Sequence, residues 1–141
     1  MIDVHLHPGR DKQVRRGHPW VFGGAIRDLD PATPPGTVVR VRSAAGEALG
    51  VGYANPRCTI AVRICSREDR ELDEAFFAER LRDATALRAG LAAGDTDVFR
   101  LINGEGDSLP GFVVDRFAGV LVLQCLTAGA DAGWAAVRAG A

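Results

Sequence analysis

Lysine is nearly absent from this sequence: Lys12 stands alone beside 16 arginines. Anionic partners would therefore meet planar guanidinium forks, which bind bidentately as an ammonium cannot. The bias also reads as the codon usage of a GC-rich genome, and its physical consequence is the same either way. Long apolar runs are missing too. The best, Val120 to Leu126, is far short of the roughly 20 residues that cross a bilayer as a helix. The opening residues, Met1-Ile-Asp-Val-His-Leu-His-Pro, offer neither a basic n-region nor a long apolar stretch, so they do not read as a secretory signal. Only Cys58, Cys65 and Cys125 carry thiols. An odd count at these spacings predicts reduced thiols in a cytoplasmic protein, not a disulfide framework. Neither Cys-x-x-Cys, His-Glu-x-x-His nor Gly-x-Ser-x-Gly occurs. His5-x-His7 has no third ligand near it in sequence. No cysteine has an evident base partner, so no catalytic constellation is legible.

The 141 residues are 47% hydrophobic with a formal net charge of −1. That excludes general disorder and allows one domain, or a small domain plus part of another. The near-zero charge hides a division. Residues 1–70 hold 11 Lys/Arg against 7 Asp/Glu (+4), and residues 71–141 hold 6 against 11 (−5).

The basic half reads as short strands cut by turns. Ile2–Leu6, Thr37–Arg42, Ala48–Ala54 and Thr59–Cys65 alternate or carry strand-forming residues, with Pro8-Gly9, Pro31 to Gly36, Ala45-Gly46 and Asn55-Pro56 between them. Gly50 and Gly52 predict a bent or bulged strand. Ile60, Val62 and Ile64 are expected to face inward. Several strands in so short a stretch predict a small barrel or sandwich. The charged segment Arg67–Glu71 marks a boundary. Asp73 then predicts a helix N-cap, with Glu74 in the first turn. Phe77, Leu81, Ala84, Leu87 and Leu91 form one expected apolar helix face, and Gly94 a stop. Val98–Ile102, Phe112–Asp115 and Val120–Leu126 follow as strands. A helix containing Trp134 and Val137 is expected over Gly129 to Ala139. Three strands and a helical stub cannot bury both faces of a sheet.

The densest basic cluster is Arg10, Lys12, Arg15 and Arg16, flanked by His7 and His18 and followed by Pro19-Trp20-Val21-Phe22. Cations beside rings suit a nucleic-acid surface, where charges meet phosphates and rings stack on bases. The competing reading is a solvated face with Trp20 and Phe22 in the core, and for the rings alone the core is expected. Asn55-Pro56-Arg57 predicts a rigid turn that projects Arg57, which is either a contact or a loop arginine without a role. Asn103 to Gly111 is Gly-rich, but Phe112-Val113 stand where a P-loop needs Lys and Ser/Thr. Glu105 and Asp107 would repel phosphate. A structural hairpin connection is the expected role, with a polar contact to a substrate or neighbouring domain as the alternative.

Three separated segments agree with one family: His18-Pro-Trp-Val-Phe-Gly-Gly-Ala-Ile26, Gly52-Tyr-Ala-Asn-Pro-Arg57 with Ile60-Ala-Val-Arg63, and Phe99-Arg-Leu-Ile-Asn-Gly-Glu-Gly-Asp-Ser-Leu-Pro-Gly-Phe-Val-Val-Asp-Arg116. The chain resembles, over nearly all its length, the N-terminal part of the bacterial class I S-adenosylmethionine-dependent 23S rRNA cytosine-C5 methyltransferases. The resemblance implies a mainly β chain with an α/β remainder. Residues 1–70 would be a PUA-like RNA-binding pseudo-barrel, 71–94 a connecting helix, and 95–141 the first part of a small α/β domain. The Rossmann-like catalytic domain, with its cofactor site and catalytic cysteines, would lie outside this chain. No cysteine here matches a catalytic motif; Cys58 stands where the family commonly has Ser. The implied activity is binding of structured rRNA, 23S rRNA in the family, through Arg10, Lys12, Arg15, Arg16, His18 and Arg57. The chain alone would hold no cofactor, and S-adenosylmethionine would serve the full-length protein. The rival expectation is a PUA-like module that docks on protein and touches RNA little. Self-association through the incomplete middle region is also expected.

Overall fold

Eight strands and four helices follow one another in a computed structural model that describes residues 1–92, 94 and 96–140, without the side chains of Ala92 and 135–140. The expected place of the Val137 side chain lies outside the described residues. Two units divide the chain, Met1–Leu72 and Asp73–Ala141.

In the first unit, β1 (Ile2–His5), β2 (Trp20–Phe22), β3 (Thr37–Arg42), β4 (Ala48–Ala54) and β5 (Ile60–Ser66) form one sheet in the order β1-β3-β4-β5-β2. β1 pairs parallel with β3, and the other pairs are antiparallel. The sheet's two edges are tied to each other. Leu6 bridges Ile26, the His7 amide donates to Ala25 O at 2.9 Å, and the Arg27 amide donates to His5 O at 2.8 Å. These bonds occupy groups that an open edge would leave unpaired, and they roll the sheet into a pseudo-barrel. Inside it Val4, Leu6, Val39, Val41 and Val62 are wholly buried, with Val14, Val21 and Ile64 nearly so. Each such side chain contributes about 1.5–3 kcal/mol by leaving water.

The expected bend in β4 is present. The register shifts between Val51 and Gly52, and a Cβ at Gly52 would lie 2.0 Å from Arg63 O. Only glycine lets β4 approach β5 that closely. Alternation in β5 holds in part. Val62 and Ile64 join the core and Ile60 is half-buried, but Ala61 and Cys65 on the opposite face are buried as well. The expectation that Trp20 and Phe22 fill the core is overturned. Val21 is the buried residue of β2, Trp20 is half-buried, and Phe22 is 47% exposed. Successive side chains on a strand leave by opposite faces, so burying Val21 turns both rings outward.

In the second unit α2 (Glu74–Leu87) is capped by Asp73, whose carboxylate accepts the Phe76 amide at 2.9 Å. Its buried residues are Phe76, Phe77 and Ala84, while Leu87 and Leu91 are exposed. The expected stripe fails at its end: Leu87 closes α2 in water, and because the backbone leaves the helical conformation at Arg88, Leu91 sits on a separate short helix, α3 (Ala89–Ala92). β6 (Val98–Asn103), β7 (Phe112–Phe117) and β8 (Val120–Cys125) make an antiparallel meander, followed by α4 (Ala128–Gly140). The Gly-rich segment is a 3₁₀ turn, Gly104–Asp107, joining β6 to β7. Its Asp107 is held by Arg88 in a two-pronged pair at 2.8 and 3.0 Å and accepts the Asn103 amide. Val98, Phe117, Val120 and Val122 remain exposed. They lie at matching register positions on one face of this sheet.

Candidate nucleic-acid interface

The cluster read from the sequence is built on α1 (Lys12–Arg15) and the loop before it. A helix of one turn does not sustain itself. Val14 anchors it in the barrel core, which leaves Lys12, Arg15 and Arg16 outside. Gly9, at φ +74, makes the preceding turn, and the Arg10 amide closes it by donating to His7 O at 3.0 Å.

α1 stands beside β2 and the 3₁₀ turn after it, and the two enclose a cleft of about 470 Å³. Arg10, Lys12 and Gln13 line it from one element, and Trp20, Phe22 and Gly24 from the other. His18 adjoins the rings. Its imidazole meets Trp20 edge-on at 5.7 Å and lies 6.5 Å from Phe22, and its Nδ1 accepts the Trp20 amide at 3.2 Å. Cations and the faces and edges of rings therefore open onto one concavity. Phosphate and base are the two chemical parts of a nucleotide that such a surface meets.

The remaining candidates are placed differently. Arg15 is engaged: Asp11 accepts from its Nε at 2.6 Å, and Glu47, on the turn between β3 and β4, takes both terminal nitrogens. Those bonds raise the guanidinium's pKa further and hold the Glu47 and Asp11 carboxyls below their usual ranges. Arg16 is exposed, as are Arg10 and Lys12. Among the described residues these three form no ion pair, although the Lys12 charge also helps to lower the pKa of the Asp11 carboxyl beside it. Arg57 projects from the turn between β4 and β5, which the Asn55 side chain sets by accepting the Arg57 amide at 3.1 Å. Neither Arg15, Arg16 nor Arg57 lines the cleft.

Sequence reasoning missed Gln13, Gly24 and Arg63. Arg63 pairs in register with Trp20 on one side and Tyr53 on the other, and its guanidinium lies 5.3 Å from the Trp20 ring centre. Burial pushes the Tyr53 hydroxyl's pKa up. The outward phase of Arg63 along β5 was the one local signal, and only the pairing of β2 with β5 gives it meaning.

Residues 4–67 match the family model of the PUA-like domain. The barrel is a PUA-like domain. Over 132 residues the chain is 42% identical to the ribosomal RNA large subunit methyltransferase I of Erwinia tasmaniensis, an alignment that covers 92% of this chain and 33% of that protein. The chain is homologous to it over that stretch and spans about a third of the length of the curated relatives it matches. Among solved structures, a Streptococcus mutans protein described as a SAM-dependent methyltransferase superposes with a TM-score of 0.87 at 20% identity, covering 99% of this chain and 37% of that one. A second structure, of a protein described as a methyltransferase and complexed with SAH, gives 0.88 at 20% identity, covering 99% and 36%. At that identity the likeness concerns the fold. The PUA-like domain and the unit after it thus share their fold with parts of longer proteins. No helix among the described residues is long and apolar enough to cross a membrane.

Proposed function

We propose that the PUA-like domain binds structured RNA in the cleft between α1 and β2, with phosphates at Arg10 and Lys12 and a base against Trp20 or Phe22. The observation that carries this reading is the two cations outside any ion pair, Arg10 and Lys12, lining the same cleft as the two rings. Arg16 and Arg57 extend the surface along the backbone, and His18 holds the Trp20 strand in place. Arg15 contributes less, because two carboxylates already hold it.

In a longer protein the domain would present large-subunit rRNA, 23S in bacteria, to a SAM-dependent catalytic domain that methylates cytosine C5 in the cytoplasm. The homology supports this role. We assign no step of methyl transfer to this chain. Its Gly-rich turn joins two antiparallel strands, whereas a dinucleotide-type cofactor site opens between a strand and a helix N-terminus. Of the two carboxylates there that could meet a ribose, Glu105 and Asp107, Asp107 is committed to Arg88. The exposed row Val98, Phe117, Val120 and Val122 supports an expectation that the second unit associates, with itself or with further chain.

The test is a titration of a fluorescent RNA hairpin with wild type and with Arg10→Ala/Lys12→Ala, at two salt concentrations. Each cation withdrawn from a phosphate lowers the slope of log K against log salt by about 0.7–0.9. The double variant should bind more weakly, with a slope shallower by about 1.4–1.8. Equal affinity and slope in both proteins would overturn the reading and favour a protein-docking module.

A further inference from the structure

The two elements that line the cleft are joined by the stretch from Arg16 to Pro19, and one distant side chain holds that stretch. Arg67, directly after β5, donates through Nη1 to Val14 O at 2.9 Å and through Nη2 to His18 O at 3.0 Å. These carbonyls lie 53 and 49 residues away in sequence. Val14 O is one of the acceptors that the end of a helix leaves open. It also takes the Gly17 amide at 3.0 Å, filling both its lone pairs. Gly17 turns the chain at φ +95, and Pro19 O then accepts the Ile64 amide at 2.7 Å. Arg67 therefore extends the β2–β5 pairing past Pro19 onto the end of α1. It has no carboxylate partner among the described residues, and it does not line the cleft. Burial lowers its pKa, as expected of a guanidinium held by carbonyls alone.

We propose that Arg67 is a positioning residue for the nucleic-acid cleft: its fork fixes α1 against β2, and so sets Lys12 and Arg10 at the required distance from Trp20 and Phe22. The proposal rests on the RNA reading above. A planar fork suits the task because it reaches two carbonyls at once, whereas an ammonium at this position satisfies them poorly.

The experiment compares wild type, Arg67→Ala, Arg67→Lys, Lys12→Ala and Lys12→Ala/Arg67→Ala. Hairpin-RNA affinity is measured across a salt series, and amide hydrogen exchange is followed without RNA. Arg67→Ala should weaken binding about tenfold, since both charge-assisted bonds that hold α1 against β2 are removed, with the salt slope unchanged because every phosphate keeps its cation. The amides of Gly17 and His18 should lose protection while those of Val39 and Val51 keep it. Arg67→Lys should recover part of the affinity. The double variant should lose less than the product of the two single effects. A slope reduced by about 0.7–0.9 would make Arg67 a phosphate ligand itself and overturn the proposal. Unchanged affinity, unchanged exchange at Gly17 and His18, or protection lost throughout β3 and β4 would each overturn it as well. Absence of salt-dependent binding in wild type overturns the RNA reading and this proposal with it. Failure in the Arg67 variants alone leaves the RNA reading standing.

Discussion

Arg15 and Glu47 are 32 residues apart in the chain and meet in a two-pronged ion pair, Nη1 to Oε1 at 3.1 Å and Nη2 to Oε2 at 2.5 Å. The pair brings a carboxylate from the β3–β4 turn up to the basic helix. One cation of the cluster is thereby neutralised, and a negative charge stands close to where an RNA backbone would run.

Glu47→Gln should therefore strengthen RNA binding. The pair is exposed and screened by solvent, so its neutralisation is partial, and the expected gain is about two- to fivefold at low salt. Fluorescence anisotropy with the hairpin RNA reads it directly. Weaker binding by the variant would mean that Glu47 supports the surface instead of opposing it.

Phe22→Ala tests the rings. Base stacking on an aromatic side chain is worth about 1–3 kcal/mol, so affinity should fall about tenfold or more while the salt slope stays as in wild type. Phe22 is 47% exposed, and its removal should change unfolding free energy by no more than about 0.5 kcal/mol. A large loss of stability with unchanged RNA affinity would return this ring to the core.

Gly52→Ala should be severely destabilising. The new Cβ would meet Arg63 O, and the nearby Cα of Ile64, at less than van der Waals distance. Both obstacles are backbone, which cannot rotate away, so β4 and β5 must separate. The expected cost is about 3 kcal/mol or more, read as a lower urea midpoint at constant m-value. A near-neutral result would show that the bulge relaxes freely.

Acid should loosen the chain through its arginine-held carboxylates. Hydrogen bonds from Arg42, Arg15, Arg15 and Arg100 hold Asp3, Asp11, Glu47 and Asp115, respectively, below their ordinary ranges. A carboxylate whose folded value is depressed stabilises the fold above its unfolded value, near pH 4. That contribution is lost as pH falls through the lower folded values. The melting temperature should be flat from about pH 8 to 5.5 and drop below about pH 4, with a smaller drop in high salt. A midpoint that rises on acidification would contradict these pairings.

Local sequence determined the elements wherever a short stretch has only one comfortable conformation. Alternation placed β3 at its observed residues, Gly50 and Gly52 marked the bent strand β4, Asp73 capped α2 as its position implied, and Asn55 set the turn that carries Arg57. The basic residues near the start were legible as a cluster for the same reason, since four of them fall within seven positions. Tertiary structure decided everything that depends on a partner far along the chain. A period of two says that Trp20 and Phe22 share a face, but the pairing of β2 with β5 decides that Val21 has the inside. A helical stripe says that Leu91 continues the face of Phe77, but the break at Arg88 puts it on another helix and in water. Which arginines remain available was equally hidden, because Glu47 reaches Arg15 and Arg67 reaches Val14 only after the sheet has closed. Side-chain type and spacing are local properties; burial, neutralisation and positioning belong to interactions across the barrel.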